Sequence, residues 1–330
     1  MTARLARIDP FLLVMIVTVI VASLLPVSGE AAVWAGKVTN FAIALLFFLH
    51  GAKLSRQAIL QGIGALKVHL LVFIATFAMF PLLGIGVRSA LSGLVDATIL
   101  AGVVFLAIVP STVQSSIAFT SIAGGNVPAA ICSASISNLA GIFLTPLLAA
   151  LLLAGDNGAG VDLAGSAQKI AMQLLVPFIA GHLARPVVGK WIDRYKSLVA
   201  KVDRSSILLV VYTAFSAAVV EGLWSRVGLV DLALILIIDS MVLAIMILAM
   251  LFIGKRAGLS RENSIVLVFA GSKKSLASGV PMAGALFPAA LVGPIILPLM
   301  LFHQIQLMVC SAMASHYAKT QYGVQVRGSA

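Results

Sequence analysis

Apolar residues run along this chain in long blocks separated by short polar connections. A helix must stay apolar for roughly 20 residues to cross the hydrocarbon of a bilayer, and lipid tolerates no unpaired backbone over that length. Ten segments meet this standard: residues 9–28, 33–52, 66–88, 97–121, 127–153, 168–188, 204–222, 229–253, 262–284 and 288–316. The seventh is short, and polar clusters interrupt the fourth and the ninth. The first run, Phe11 to Leu25, follows Arg4 and Arg7 and precedes small residues near Gly29 to Ala32, as a signal peptide would. The many similar runs behind it make it the first membrane helix instead. The pattern predicts an all-α polytopic membrane protein with ten transmembrane helices.

The longest connection, AGDNGAGVDLAGSA at Ala154 to Ala167, divides the apolar region into near-equal halves, 1–153 and 168–318, with a tail at 319–330. Segments one to five reappear as six to ten at offsets of roughly 160 residues, the spacing of an internal duplication. Each half holds an odd number of crossings, so the second repeat is predicted to be inverted relative to the first.

Composition sharpens this picture. Of 330 residues, 61% are hydrophobic and 10% charged, and the mean hydropathy is +1.12. No water-soluble fold hides that much apolar surface. The net charge of +11 does not signal nucleic acid, because the 22 Lys and Arg are scattered between apolar runs and form no continuous basic face. They do signal sidedness. Sixteen stand on one side, at Arg4 to Arg7, Lys53 to Lys67, Arg185 to Arg204, Lys255 to Arg261 and Lys319 to Arg327; the other side holds four, Lys37, Arg88, Lys169 and Arg226. The positive side is normally cytoplasmic, which places both termini in the cytoplasm and the chain in the cell (inner or plasma) membrane. Cys132 and Cys310 lie in apolar stretches and read as small core residues. The five histidines show no pair at ligand spacing, so neither metal nor cofactor is expected.

Transporters with inverted repeats bind substrate near the midplane, where a helix is broken. Each half offers one such place. In the fourth segment it is Pro110, Ser111, Thr112, Val113, Gln114, Ser115 and Ser116, with Thr120 one turn on; in the ninth it is Gly271, Ser272, Lys273, Lys274 and Ser275, followed by Ser278, Gly279 and Pro281. Proline removes a backbone donor and glycine tolerates unusual dihedrals, so both stretches can unwind. For one cluster alone, hydroxyls that only pack helices and bond their own backbone are as good a reading. Two clusters in corresponding positions favour a binding site.

The stretch PSTVQSSIAFTSIAGGNVPAAICSASISNLAGIFLTP, Pro110 to Pro146, together with Phe269 to Lys319, resembles the bile acid:sodium symporter superfamily in its divergent SBF-like branch. LLFFLHGAKLS at 45–55 and LFHQIQ at 301–306 match as well, and the similarity covers nearly the whole chain. The resemblance implies a panel domain of helices one, two, six and seven beside a core domain of the other six, with helices four and nine unwound and crossing. It implies alternating access by motion of core against panel. It also implies where sodium would bind, and there this chain departs from the pattern. Ser115 and Ser116 fall at the family's Ser-Asn pair, Ala130 and Ala134 at its helix-five hydroxyls, Phe269 at its glutamate and Lys273 at its glutamine. Hard cations need several oxygen ligands, and an ammonium repels Na⁺. Sodium coupling of the usual kind is not expected, and H⁺ stays open as the coupling ion.

Asp239 lies inside the eighth segment, where a charge is costly and normally has a partner or a task. At ~1.5 Å per residue it sits near the depth of Lys273, so pairing of the two is one expectation; lining of a watery crevice or a structural bond is the other. His303 and Gln304 either face the core or bond neighbouring helices.

These features favour secondary transport of a small organic anion. A transporter fold used as a regulator of ion homeostasis stays open as an alternative. An intramembrane enzyme is a weaker one: the chain has no HExxH, no GxSxG and no second membrane-depth acid beside Asp239. With no GxxxxGK[ST] loop, ATP-driven pumping is not expected.

Overall fold

The computed structural model describes residues 10–53, 63–153 and 171–328, and over these it is helical with no β-strand. The helices are α1 Pro10–Leu24, α2 Gly29–Lys53, α3 Leu66–Leu91, α4 Ala97–Ile108, α5 Gln114–Ile122, α6 Val127–Leu153, α7 Met172–Arg194, α8 Lys196–Val220, α9 Leu229–Arg256, α10 Arg261–Gly271, α11 Leu276–Leu286 and α12 Ala289–Gly328. Helix α3 contains a π-helical turn at Ala75–Met79. The proposed linker, 154–167, lies outside the described residues, as do Arg4, Arg7, Arg56 and Lys169.

Seven helices, α2, α3, α6, α7, α8, α9 and α12, are long and apolar enough to cross a membrane, which makes this a multi-pass membrane protein. The first segment is trimmed to the 15 residues of α1, and the tenth continues without a break through residue 319 to Gly328. The fourth segment resolves into α4 and α5, with 12 and 9 residues, and the ninth into α10 and α11, with 11 each. At ~1.5 Å per residue, none of these four exceeds ~18 Å, so only each pair with its break reaches bilayer thickness.

Outward faces are apolar. Leu13, Val17 and Ile20 of α1, Trp34, Val38 and Phe41 of α2, Leu183 and Val187 of α7, and Leu248 and Phe252 of α9 are all exposed. In water this would be a severe liability, whereas lipid is the solvent such helices require. Inside, α1 and α2 pack on α8, and α2 runs along α7. The α2–α7 contact depends on small residues: a Cβ on Gly51 would collide with the Phe178 carbonyl, and one on Gly181 with the Phe48 carbonyl. Backbones approach this closely only where both helices offer glycine. Around the breaks, α10 packs on α3, α5, α6 and α9, while α4 packs on α3, α6 and α12.

Polar groups tie segment ends together in two sets. Lys53 pairs with Asp203, Arg185 donates to the Ala52 carbonyl, Lys67 donates to the Ala257 carbonyl, and Arg261 reaches the Tyr317 carbonyl at 3.2 Å. Elsewhere Trp224 Nε1 donates to Ser23 Oγ at 2.9 Å, and Arg88 to the Leu152 carbonyl at 2.7 Å. Every one of these contacts joins ends that the charge count assigns to the same side.

Candidate functional site

The two helix breaks, 109–113 and 272–275, touch each other. Ser275 N donates to the Pro110 carbonyl at 2.8 Å, Ser116 Oγ to the Phe269 carbonyl at 2.8 Å, and Ser111 Oγ to the Ala270 carbonyl. A helix end leaves its last carbonyls without partners, and buried carbonyls must find some. Here five in succession do. The Ala107 and Val109 oxygens accept from Lys274 Nζ at 2.6 and 2.8 Å, and Ile108 O accepts from Thr145 Oγ1 at 2.9 Å. Pro110 O takes Ser275 N, and Ser111 O takes Asn138 Nδ2 at 2.9 Å.

The second break is closed in the same way. Ser272 Oγ bonds back to the Val268 carbonyl at 2.6 Å, and Ser275 Oγ caps α11 by accepting from Ser278 N at 3.2 Å. Gln306 of α12 clamps the backbone of Lys274, accepting its N–H at 2.9 Å and donating to its carbonyl at 2.8 Å. Asn138 of α6 spans both breaks, because its Oδ1 accepts from Ser278 Oγ at 2.7 Å. Ser111, Ser116, Ser272 and Ser275 are therefore committed to the backbone of the breaks.

The two lysines are fully buried and diverge. Lys274 Nζ completes three bonds, to the carbonyls above and to Thr76 O at 2.9 Å, with the Phe80 ring centroid 4.2 Å away. Lys273 Nζ makes one hydrogen bond, to Ser115 Oγ at 3.2 Å, and lies 4.5 Å from the Phe119 ring centroid and 5.8 Å from that of Phe269. Ser115 in turn donates to Thr112 Oγ1 at 2.9 Å, and Thr112 shares a 2.9 Å bond with Ser116. An ammonium has three donors. Among the described residues Lys273 spends one on an oxygen and otherwise lies against aromatic faces, with Cys310 also in electrostatic reach; such faces attract cations but are easily exchanged for a harder acceptor.

Asp239 does not pair with Lys273. Its buried carboxylate oxygens have no hydrogen-bond partner, and its helix packs that face against α12, where the backbone of Phe302 lies nearby. Similar depth does not bring the charges together, because Lys273 turns towards α5. Of the other candidates, Gln114 is exposed at the start of α5, and Thr120 is buried without a bonded hydroxyl at its far end. His303 Nδ1 lies 2.7 Å from Gln306 Nε2, behind the Lys274 backbone. Cys132 and Cys310 are free and buried. Residues that sequence reasoning missed, Thr76, Asn138, Thr145 and Gln306, are the ones that stitch the breaks to α3, α6 and α12.

The model of the SBF-like CPA transporter family matches residues 9–319. "Uncharacterized protein PA2026" of Pseudomonas aeruginosa is 55% identical over 94% of this chain and 93% of its own length. "Putative symporter YfeH" of Escherichia coli (strain K12) is 49% identical over 98% and 97%. "Sodium/bile acid cotransporter 7" of Rattus norvegicus is 27% identical over 84% and 82%.

Proposed function

Because the chain belongs to the SBF-like CPA transporter family, we propose that it is a secondary active transporter that carries a small organic anion by alternating access, holding it at Lys273 where the helix breaks meet. Family and relatives point to a membrane transporter rather than an enzyme. The observation that carries the anion reading is the buried Lys273 ammonium, bonded to one hydroxyl and faced by aromatic rings, with no carboxylate in ion-pair reach among the described residues. The adjacent breaks also begin α5 and α11, whose N-terminal ends favour negative charge.

The ten-crossing inverted repeat supports alternating access, and spacing supports the repeat. Helices α4 and α10 end 163 residues apart, at Ile108 and Gly271, and α5 and α11 begin 162 apart, at Gln114 and Leu276. Gly93 and Gly258, with φ of 80° and 62°, turn the chain into the two broken segments. In this reading α1, α2, α7 and α8 form a panel, the remaining helices form the core that moves against it, and the termini are cytoplasmic.

Sodium is not the obligatory coupling ion in this proposal. Ala130, Ala134 and Phe269 are fully buried and put no side-chain oxygen at the positions the resemblance assigns to sodium. The name of the rat relative speaks of sodium for that protein. Here H⁺ is the coupling ion proposed, carried on Lys273 together with the substrate anion and released with it.

The test is a thermal-shift screen of purified protein against organic anions, with Na⁺ and pH varied, followed by uptake of each stabilising anion into vesicles. Saturable, Na⁺-independent uptake supports the proposal. Binding without uptake would favour a regulator, and no stabilisation by any anion class would remove the anion.

A further inference from the structure

We infer that the Lys274 ammonium is a tethered monovalent cation, and that the cage it fills would, once that side chain is removed, take a free cation of the ammonium and potassium size class. The cage is made of the Thr76, Ala107 and Val109 carbonyls, closed by the Phe80 ring. All three N–H donors of the ammonium meet a backbone oxygen, at 2.9, 2.6 and 2.8 Å. A neutral amine would bring two donors to three acceptors and turn its lone pair on the third.

Each carbonyl is free for a local reason. In the π turn of α3, Phe80 N–H bonds to Ala75 O, five residues back. The next donor along, which would serve Thr76 O, belongs to Pro81, and proline has no N–H. Ala107 and Val109 lie at the C-terminal end of α4, where carbonyls lack intrahelical partners and the helix dipole is negative. Carbonyl oxygens arranged this way replace the hydration shell of a monovalent cation, and the Phe80 face adds a cation–π contact. No carboxylate pairs with Lys274 among the described residues. Gln306 holds the lysine's own N–H and C=O, so the side chain enters the cage from a fixed backbone.

The cation that joins α3, α4 and the second break is thus covalently attached, and a dissociable ion has no access to this place in the native chain. The inference rests on the cage and not on the identity of the cargo, so its test reads stability and is separable from the transport reading.

The test compares melting temperatures of the full chain, purified in detergent, as wild type, Lys274→Ala and Lys274→Met, in choline, potassium, ammonium and propylammonium chlorides. Propylammonium restores to the alanine variant the atoms beyond Cβ. The wild type is expected to be indifferent to the cation. Lys274→Met, which blocks the cage with a neutral chain, should melt lower by roughly 5–10 °C in every salt. Lys274→Ala should melt equally low in choline and recover saturably with propylammonium, and partly with ammonium or potassium, but not with propan-1-ol. A methionine variant as stable as the wild type would overturn the inference, as would an alanine variant that no cation restores. Should the alanine variant fail to fold, purification in propylammonium chloride is itself the rescue, and failure there too counts against the cage.

Discussion

Lys273 and Lys274 are adjacent, both fully buried, and serve different partners: one an exchangeable hydroxyl and aromatic shell, the other a closed set of carbonyls. A buried charge-assisted hydrogen bond is worth about 1.5–3 kcal/mol, so Lys273→Ala should weaken anion binding by about 10- to 100-fold or more. Ser115→Ala, which removes the one oxygen that Lys273 meets among the described residues, should cost less, about 3- to 10-fold, in the same titration. Asp239 supplies a sharper check. With its carboxylate away from Lys273, the stability changes of Asp239→Asn and Lys273→Ala should add to within about 0.5 kcal/mol in thermal unfolding. A coupling well above that would restore the ion pair that similar depth suggests. The polar clusters were legible in the sequence because Pro110, Gly271 and the serines are out of place in an apolar run. Which lysine does what was not. A helix separates neighbours by about 100°, but residues 272–275 are unwound, and that rule lapses there.

The elements that matter are the half-helices α4, α5, α10 and α11 and the unbroken helices that clasp them. Asn138 holds the breaks together by donating to Ser111 O and accepting from Ser278 Oγ. Asn138→Ala strands both partners in a buried region and should lower unfolding stability by about 2–4 kcal/mol, whereas a surface substitution such as Lys196→Gln should have little effect. An N138A variant as stable as wild type would mean that the breaks do not depend on this clasp. No local pattern pointed to Asn138, Gln306 or Thr76. Each sits in a long apolar helix, and its partner is remote in sequence: Asn138 and Ser278 are 140 residues apart, and Thr76 and Lys274 are 198 apart. The opposite holds for the breaks themselves, whose proline, glycine and hydroxyl content is local and could be read directly.

For the whole molecule, apolar block length was enough to give a multi-pass helical protein, and it placed the boundaries of α6, α9 and both broken segments within a few residues. It ran the first segment past the end of α1 at Leu24, began the seventh eight residues after the start of α8 at Lys196, and stopped the tenth short of the end of α12 at Gly328. Topology is open to direct test because the native cysteines are buried. A cysteine at the exposed Lys196 should resist an impermeant thiol reagent applied to intact cells and react once the membrane is opened, as a cytoplasmic loop requires. Labelling from outside would invert the orientation and move every site to the other access side. Replacing Na⁺ by K⁺ or choline should leave uptake largely unchanged, since Ala130, Ala134 and Phe269 put no side-chain oxygen at the positions the resemblance assigns to sodium; a steep, saturable Na⁺ dependence would contradict that. The most direct measurement is uptake of the best-stabilising organic anion into proteoliposomes containing wild type or Lys273→Ala at matched reconstitution. The expected result is saturable uptake by the wild type and loss of at least about 10-fold in the variant; uptake by Lys273→Ala at the wild-type rate would contradict the assignment of the anion site.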